Sequence, residues 1–139
     1  MQMVIVALCA IVLLLLGAIV VLKKKGSRAS RRRNIRAQEG ERKAEKLLRS
    51  KGYSIEGRQV KEKSGLYVDG VWCEVEVRVD FIVRKRRKKF VAEVKTGKTA
   101  PDPTQASTRR QLLEYSLVFK KHGVLLIDME EKKIREISF

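Results

Sequence analysis

From Val71 to Val83 every odd position is apolar or cysteine (Val71, Cys73, Val75, Val77, Val79, Phe81, Val83), whereas the even positions include Glu74, Glu76, Arg78 and Asp80. A period of two predicts one long strand. Phe90 to Lys95 resumes the strand pattern after the basic run Arg84 to Lys89, and Val124 to Asp128 is a short buried-strand candidate that Lys133 to Ser138 is placed to pair with. Tyr53 to Val60 reads as an earlier strand. Between these lie two stretches of helical period. In the first, from Ile35 to Lys51, the positions Ile35, Ala37, Ala44, Leu47 and Leu48 form one buried stripe that Gly52 ends. The second runs from Pro103 to Lys121, with Asp102 as expected N-cap, Pro103 at the first helical position and Gly123 beyond the end. The order is α-β-β-β-α-β with a further short strand, an α/β class of fold.

Ahead of this pattern stands an unpatterned apolar run. Met3 to Leu22 carries no charged side chain and has the length, about twenty residues, that a helix needs to cross roughly 30 Å of hydrocarbon. Only Met1 and Gln2 precede it and no small-x-small cleavage site closes it, so a transmembrane anchor is expected rather than a cleaved signal. Lys23, Lys24, Lys25, Arg28, Arg31, Arg32, Arg33 and Arg36 follow with no acid before Glu39. The positive-inside rule then places the C-terminal part in the cytoplasm, tethered to the cell membrane by a single pass. The expected organisation is an anchor with its basic flank over residues 1–25, a basic linker over 26–34 and one domain over 35–139.

Charge narrows the partners. Thirty-two Lys and Arg against 16 Asp and Glu give a formal charge of +16, an excess that points to a polyanion, either nucleic acid or an anionic lipid surface. Cys9 and Cys73 show neither disulfide nor zinc-ligand spacing. There is no helix-turn-helix, zinc finger or glycine-rich phosphate loop, so contact with DNA would fall mostly on its backbone, through Arg84, Lys85, Arg86, Arg87, Lys88, Lys89, Arg109 and Arg110. Solubility and edge protection are the plainer explanation of the same basic turn. His122, beside Gly123, reads as a favourable charge at a helix end and not as a ligand.

Candidate chemistry comes from strand spacing. Glu93 and Lys95 share one face of their strand, because residues i and i+2 lie on the same side. If the two central strands form a hairpin turning near Arg86 and Arg87, facing residues have numbers that sum to about 173, which sets Asp80 opposite Glu93. Facing carboxylates repel unless a cation lies between them, and a hard divalent ion with oxygen ligands would resolve the conflict. In that reading Asp80, Glu93 and the backbone carbonyl of Val94 hold Mg²⁺ or Mn²⁺, while Lys95 approaches the attacking water and the phosphate. By spacing alone, however, a solvated Glu-x-Lys pair with Asp80 as an ordinary surface acid is the reading to prefer.

Several of these loose signals fall in the order of one family. Gly40-Glu41-x2-Ala44-x3-Leu48-x3-Gly52-Tyr53-x-Ile55 resembles the first helix and strand of the Holliday junction resolvase-like PD-(D/E)XK nucleases, the restriction-endonuclease-like superfamily. Val79-Asp80-Phe81-Ile82-Val83 resembles its Asp strand, Val91-Ala92-Glu93-Val94-Lys95-Thr96 its (D/E)-x-K strand, and Gln111-Leu112-Leu113-Glu114-Tyr115 its Gln-x3-Tyr helix. The resemblance spans Gly40 to about Asp128. It implies a mixed central sheet and a Mg²⁺- or Mn²⁺-dependent endodeoxyribonuclease. It also implies Glu41 as a further metal-site acid, Gln111 and Tyr115 orienting DNA or the lysine, and a homodimer, since related resolvases act as dimers. The competing expectations are a catalytically inactive nucleic-acid-binding module, or a protein-interaction module, held at the membrane.

Overall fold

The computed structural model describes residues 34–97 and 101–139, together with residues 1, 2, 15, 16, 23, 31 and 32. The chain divides into two compact units, Met1–Gln38 and Glu39–Phe139. The expected anchor, Met3 to Leu22, lies outside the described residues apart from Leu15 and Leu16; among the described residues no helix is long and apolar enough to cross a membrane. Of the basic linker, residues 31, 32 and 34 are described and are helical.

The second unit is built on a five-stranded sheet: β1 (Ser54–Val68), β2 (Val71–Lys85), β3 (Lys88–Lys95), β4 (Val124–Asp128) and β5 (Lys133–Ile137), ordered as in the chain. Only β3 and β4 are parallel, and the other neighbours are antiparallel. The sheet is therefore mixed. A parallel pair needs a crossover, and α2 (Ala106–Phe119) supplies it. The first helix, α1, occupies residues 34–50. Element order agrees with the expected α-β-β-β-α-β plus a last strand.

Each face of the sheet has its own core. Ala44 and Leu48 of α1 pack with Phe81, Val83, Phe90, Ala92, Leu125 and Ile127. On the other face Leu112, Tyr115 and Phe119 of α2 pack with Val91, Val124, Leu126, Ile82, Val79 and Val77. β4 is buried at all five positions, as a strand covered by helices on both sides must be. Each fully buried Leu, such as Leu48, Leu112, Leu125 and Leu126, contributes roughly 1.5–3 kcal/mol.

Three local expectations are corrected. The first strand is longer than Tyr53 to Val60. Its extension has no apolar alternation to reveal it; it pairs along its backbone as far as Val68↔Val71, with exposed charges paired across the ladder, Lys61 to Glu76 at 2.7 Å and Lys63 to Glu74 at 2.9 Å. The second helix starts at Ala106, with Gln105 as an N-cap that makes no side-chain capping bond. Asp102 caps a separate turn, its Oδ1 accepting from the Thr104 N–H at 2.8 Å and the Thr104 hydroxyl at 2.7 Å; an Asx turn competed successfully with helix capping. At the other end Lys120, and not a glycine, takes the left-handed C-cap conformation.

β2 also departs from a single alternating strand. Val77 and Val79 belong with Ile82 to the core under α2, whereas Phe81 and Val83 belong to the core under α1. The face that points each way changes at Asp80. Across from it, Gln59 takes φ 49°, a conformation that costs a non-glycine residue roughly 1–2 kcal/mol. Beyond this bend the β1–β2 hairpin runs to the Asp69-Gly70 turn, with φ 48° and 81°, and its tip exposes Leu66, Tyr67, Val71 and Trp72.

Candidate functional site

The hairpin between β2 and β3 turns at Arg86-Arg87, and its pairs, from Lys85↔Lys88 to Phe81↔Ala92, keep the sum expected from the sequence. The next positions along the two strands are Asp80 and Glu93. Asp80 Oδ2 accepts the Val94 N–H at 2.8 Å, and so lies against β3 between Glu93 and Lys95. Its other oxygen, Oδ1, accepts from Gln59 Nε2 at 3.2 Å.

Glu93 is buried, with 6% of its surface exposed. Lys95 Nζ donates to Glu93 Oε1 at 2.8 Å and to Gln111 Oε1 at 2.6 Å. Gln111 Nε2 donates to Glu93 Oε1 at 3.0 Å and to the Tyr115 hydroxyl at 2.6 Å, and that hydroxyl donates to Glu93 Oε2 at 3.0 Å. Gln111 and Tyr115 stand one helical turn apart on α2, the spacing that puts both on one side. A strand pair two residues apart and a helix pair four apart are thus joined in one closed hydrogen-bond network.

Electrostatics link both Glu93 and a third acid, Glu41, to Asp80. Burial, then the Asp80 charge, raises the Glu93 pKa against the opposing pull of Lys95 and Tyr115. The Glu41 pKa is also raised, by burial first and then by Asp80, with Gln59 and Arg78 acting against the shift. Burial and the nearby Glu93 raise the Tyr115 phenol as well, so it stays a neutral donor. Gly40 sets how near Glu41 comes: it is buried, and a Cβ there would lie 2.8 Å from Thr96 Cγ2, just past the end of β3. Only a glycine lets α1 approach so closely.

Asp80, Glu93, Lys95, Gln111 and Tyr115 are therefore joined by hydrogen bonds that run through β3, and Glu41 is joined to them through its field. Among the described residues no three His, Cys, Asp or Glu side chains form a group that could hold a metal ion. All four oxygens of Asp80 and Glu93 accept from protein donors instead. The expected basic residues separate. Arg84 and Lys89 pair with Glu56, Lys85 lies 4.6 Å from the centre of the Tyr53 ring, and Arg109 bonds the Thr104 carbonyl. Arg86, Arg87, Lys88 and Arg110 are exposed.

Gln59 is the site residue the sequence conceals, since a glutamine inside a strand pattern carries no signal of its left-handed backbone. His122 is corrected: its Nδ1 accepts the Lys89 N–H at 3.2 Å and its own N–H bonds the Lys89 carbonyl at 2.9 Å, so it extends strand pairing rather than placing a charge at the helix end. Buried Asp128 stands apart from the network, its Oδ1 accepting the N–H groups of Glu130 and Glu131 in the β4–β5 turn.

No family model matches the chain, and no curated protein does. Among solved structures it is similar to the crystal structure of SSO0001, with a TM-score of 0.54 and 20% identity over 75% of this chain and 50% of that one. The chain spans half the length of SSO0001, and at this identity the likeness speaks for the fold alone.

Proposed function

We propose that the domain is a Mg²⁺- or Mn²⁺-dependent DNA phosphodiesterase of the PD-(D/E)XK type, held at the cytoplasmic face of the membrane by its N-terminal apolar run. One observation carries this reading: Lys95 Nζ is fixed between Glu93 and Gln111 while the Asp80 carboxylate rests on the intervening Val94 N–H. A fold gains no stability from placing the Asp80 charge where it raises the proton affinity of Glu93 and Glu41. A hard divalent cation suits such a set, because every donor in it is an oxygen. Asp80 and Glu93 would hold it, with Glu41 and the Val94 carbonyl completing the shell. When bound, the ion supplies positive charge toward the scissile phosphate.

The chain's own groups do the rest. An ammonium has three N–H donors; Glu93 and Gln111 take two of Lys95's, leaving one to point at a phosphate oxygen or the attacking water. Gln111 and Tyr115 fix the orientation of Glu93, so that the amine and the carboxylates keep their spacing as substrate arrives. The exposed Arg110, beside Gln111 on α2, would meet the backbone of the duplex.

A second reading, a binding module without catalysis, is favoured by the complete satisfaction of the Asp80 and Glu93 oxygens by protein donors. One assay separates the two. The full chain is incubated with linear, plasmid, branched and single-stranded DNA and with RNA, in Mg²⁺ or Mn²⁺. Cleavage that Asp80→Ala and Lys95→Ala abolish, with binding kept, supports the enzyme. Salt-sensitive binding with no cleavage in any divalent ion supports the module.

A further inference from the structure

The hydrogen-bonded part of the candidate site lies on the α2 side of the sheet, where Glu93 bonds Tyr115. A second cationic feature lies on the other side, along β5 and past the C-terminal end of α1. Two adjoining cavities there, of about 630 and 430 Å³, share Tyr53, Lys85 and Glu136 in their walls. Phe90 and Ile134 contribute apolar walls, and both belong with the core under α1. Lys51 and Lys132 flank the smaller cavity, while Arg86, Arg87 and Lys88 flank the larger.

The distribution of charge along this groove is uneven. Lys133 and Arg135, which also line the smaller cavity, are paired with acids, Lys133 with Glu131 at 2.8 Å and Arg135 with Glu131 at 3.3 Å and Asp128 at 3.7 Å. Lys51, Lys132, Arg86, Arg87 and Lys88 take part in no ion pair among the described residues, and all five are exposed. One acid, Glu136, faces them. Five cations without an ion-pair partner, four from the turns after α1, between β2 and β3 and between β4 and β5 and one, Lys88, from the start of β3, would repel one another against a single acid. No element of the fold requires them to converge.

We infer that this groove binds a strand of nucleic acid by its phosphates, at a site distinct from the acid cluster and on the opposite face of the sheet. Shape favours a strand over a lipid surface, because the cations line a concavity with an aromatic ring in its wall, whereas a bilayer meets a flat or convex cationic face. A basic groove with an aromatic wall is the arrangement that tracks single-stranded backbones. The groove would bind whether or not the acid cluster cleaves, and together the two faces let one domain hold a strand away from the bond at its acids.

The test uses the full chain in EDTA, so that cleavage is not read. A fluorescent single-stranded oligonucleotide is titrated by anisotropy over a range of salt. Lys51→Glu with Lys132→Glu is expected to weaken binding at least tenfold and to flatten the log–log salt slope by roughly 1.4, the loss of two phosphate contacts to a single strand. Reversing two exposed lysines away from the groove, Lys46→Glu with Lys121→Glu, controls for net charge and should change the slope far less. Equal effects of the two double variants would overturn the assignment. So would unchanged oligonucleotide binding with lost co-sedimentation on anionic phospholipid vesicles, which would make the groove a lipid site. Circular dichroism on each variant checks that the fold is kept. Groove binding that survives while the cleavage assay fails removes only the nuclease reading.

Discussion

The Lys95 ammonium stands 2.8 Å from the Glu93 carboxylate, two residues away on the same side of β3. Strand geometry makes the two neighbours, but the contact alone does not fix the amine. Gln111, arriving from α2, accepts a second hydrogen bond from it. Amine and acid are thus held by a helix that enters the sequence well after the strand, which is what a precise reactive geometry requires.

Tyr115→Phe removes the hydroxyl that donates to Glu93 Oε2 and leaves a buried carboxylate oxygen without a partner. The expected loss of stability is about 1–3 kcal/mol, read from urea midpoints. If the site is catalytic, cleavage falls about 10- to 100-fold as the carboxylate loses its orientation. An unchanged rate would make Tyr115 a packing residue alone.

Asp80→Asn should separate stability from activity. Asparagine keeps an oxygen for the Val94 N–H but removes the charge that helps raise both Glu93 and Glu41. The variant is expected to be more stable by roughly 0.2–1 kcal/mol, the scale of like-charge repulsion across strands, while cleavage is lost. A lower thermal midpoint would show that the acid cluster is not under strain.

Acid should loosen the junction between α1 and β1. Hydrogen bonds from Arg58, then Arg49, hold the Glu45 carboxyl down at about 2. A depressed carboxylate contributes stability above its ordinary value of 4.5, and that contribution is lost as pH falls toward about 2. The pair is partly exposed, Arg58 by 58% and Glu45 by 22%, so the contribution is at most about 1 kcal/mol. Glu45→Gln is therefore expected to flatten the thermal midpoint against pH between 4.5 and 2; an unchanged slope would place acid sensitivity elsewhere.

Gly40→Ala tests the approach of α1. Alanine gains about 1 kcal/mol of helix propensity, yet its Cβ would lie 2.8 Å from Thr96 Cγ2. Overpacking costs about 1–3 kcal/mol and should prevail. Adding Thr96→Ala removes the methyl in the way and lets the propensity gain through, so the double variant should exceed the parent in denaturation midpoint. A stable single variant would mean that Thr96 simply turns aside.

Much of this arrangement was legible in the residues. Alternation at Val71 to Val83 announced β2, the short apolar run Val124 to Ile127 closed by Asp128 announced β4, and the arithmetic of a short hairpin brought Asp80 toward Glu93. Three things were not legible. The second half of β1 carries cross-strand charge pairs, which look like loop composition. Asp102 carries the signature of a helix cap yet closes an Asx turn. The bend at Gln59 and Asp80 leaves the apolar alternation intact while exchanging the faces, because alternation reports only that neighbours differ and not which side each one takes.

That bend has a consequence for how the fold can vary. Since the core-facing sides exchange at Asp80, matched pairs of residues can be added or removed next to the Asp69-Gly70 tip while Asp80 keeps its place against Val94. The same edit between Asp80 and Arg86 would shift Asp80, Glu93 and Lys95 by a step against Gln111 and Tyr115 of α2. The outer hairpin is therefore an adjustable appendage, free to acquire new tips, while the short inner segment is a fixed-length ruler.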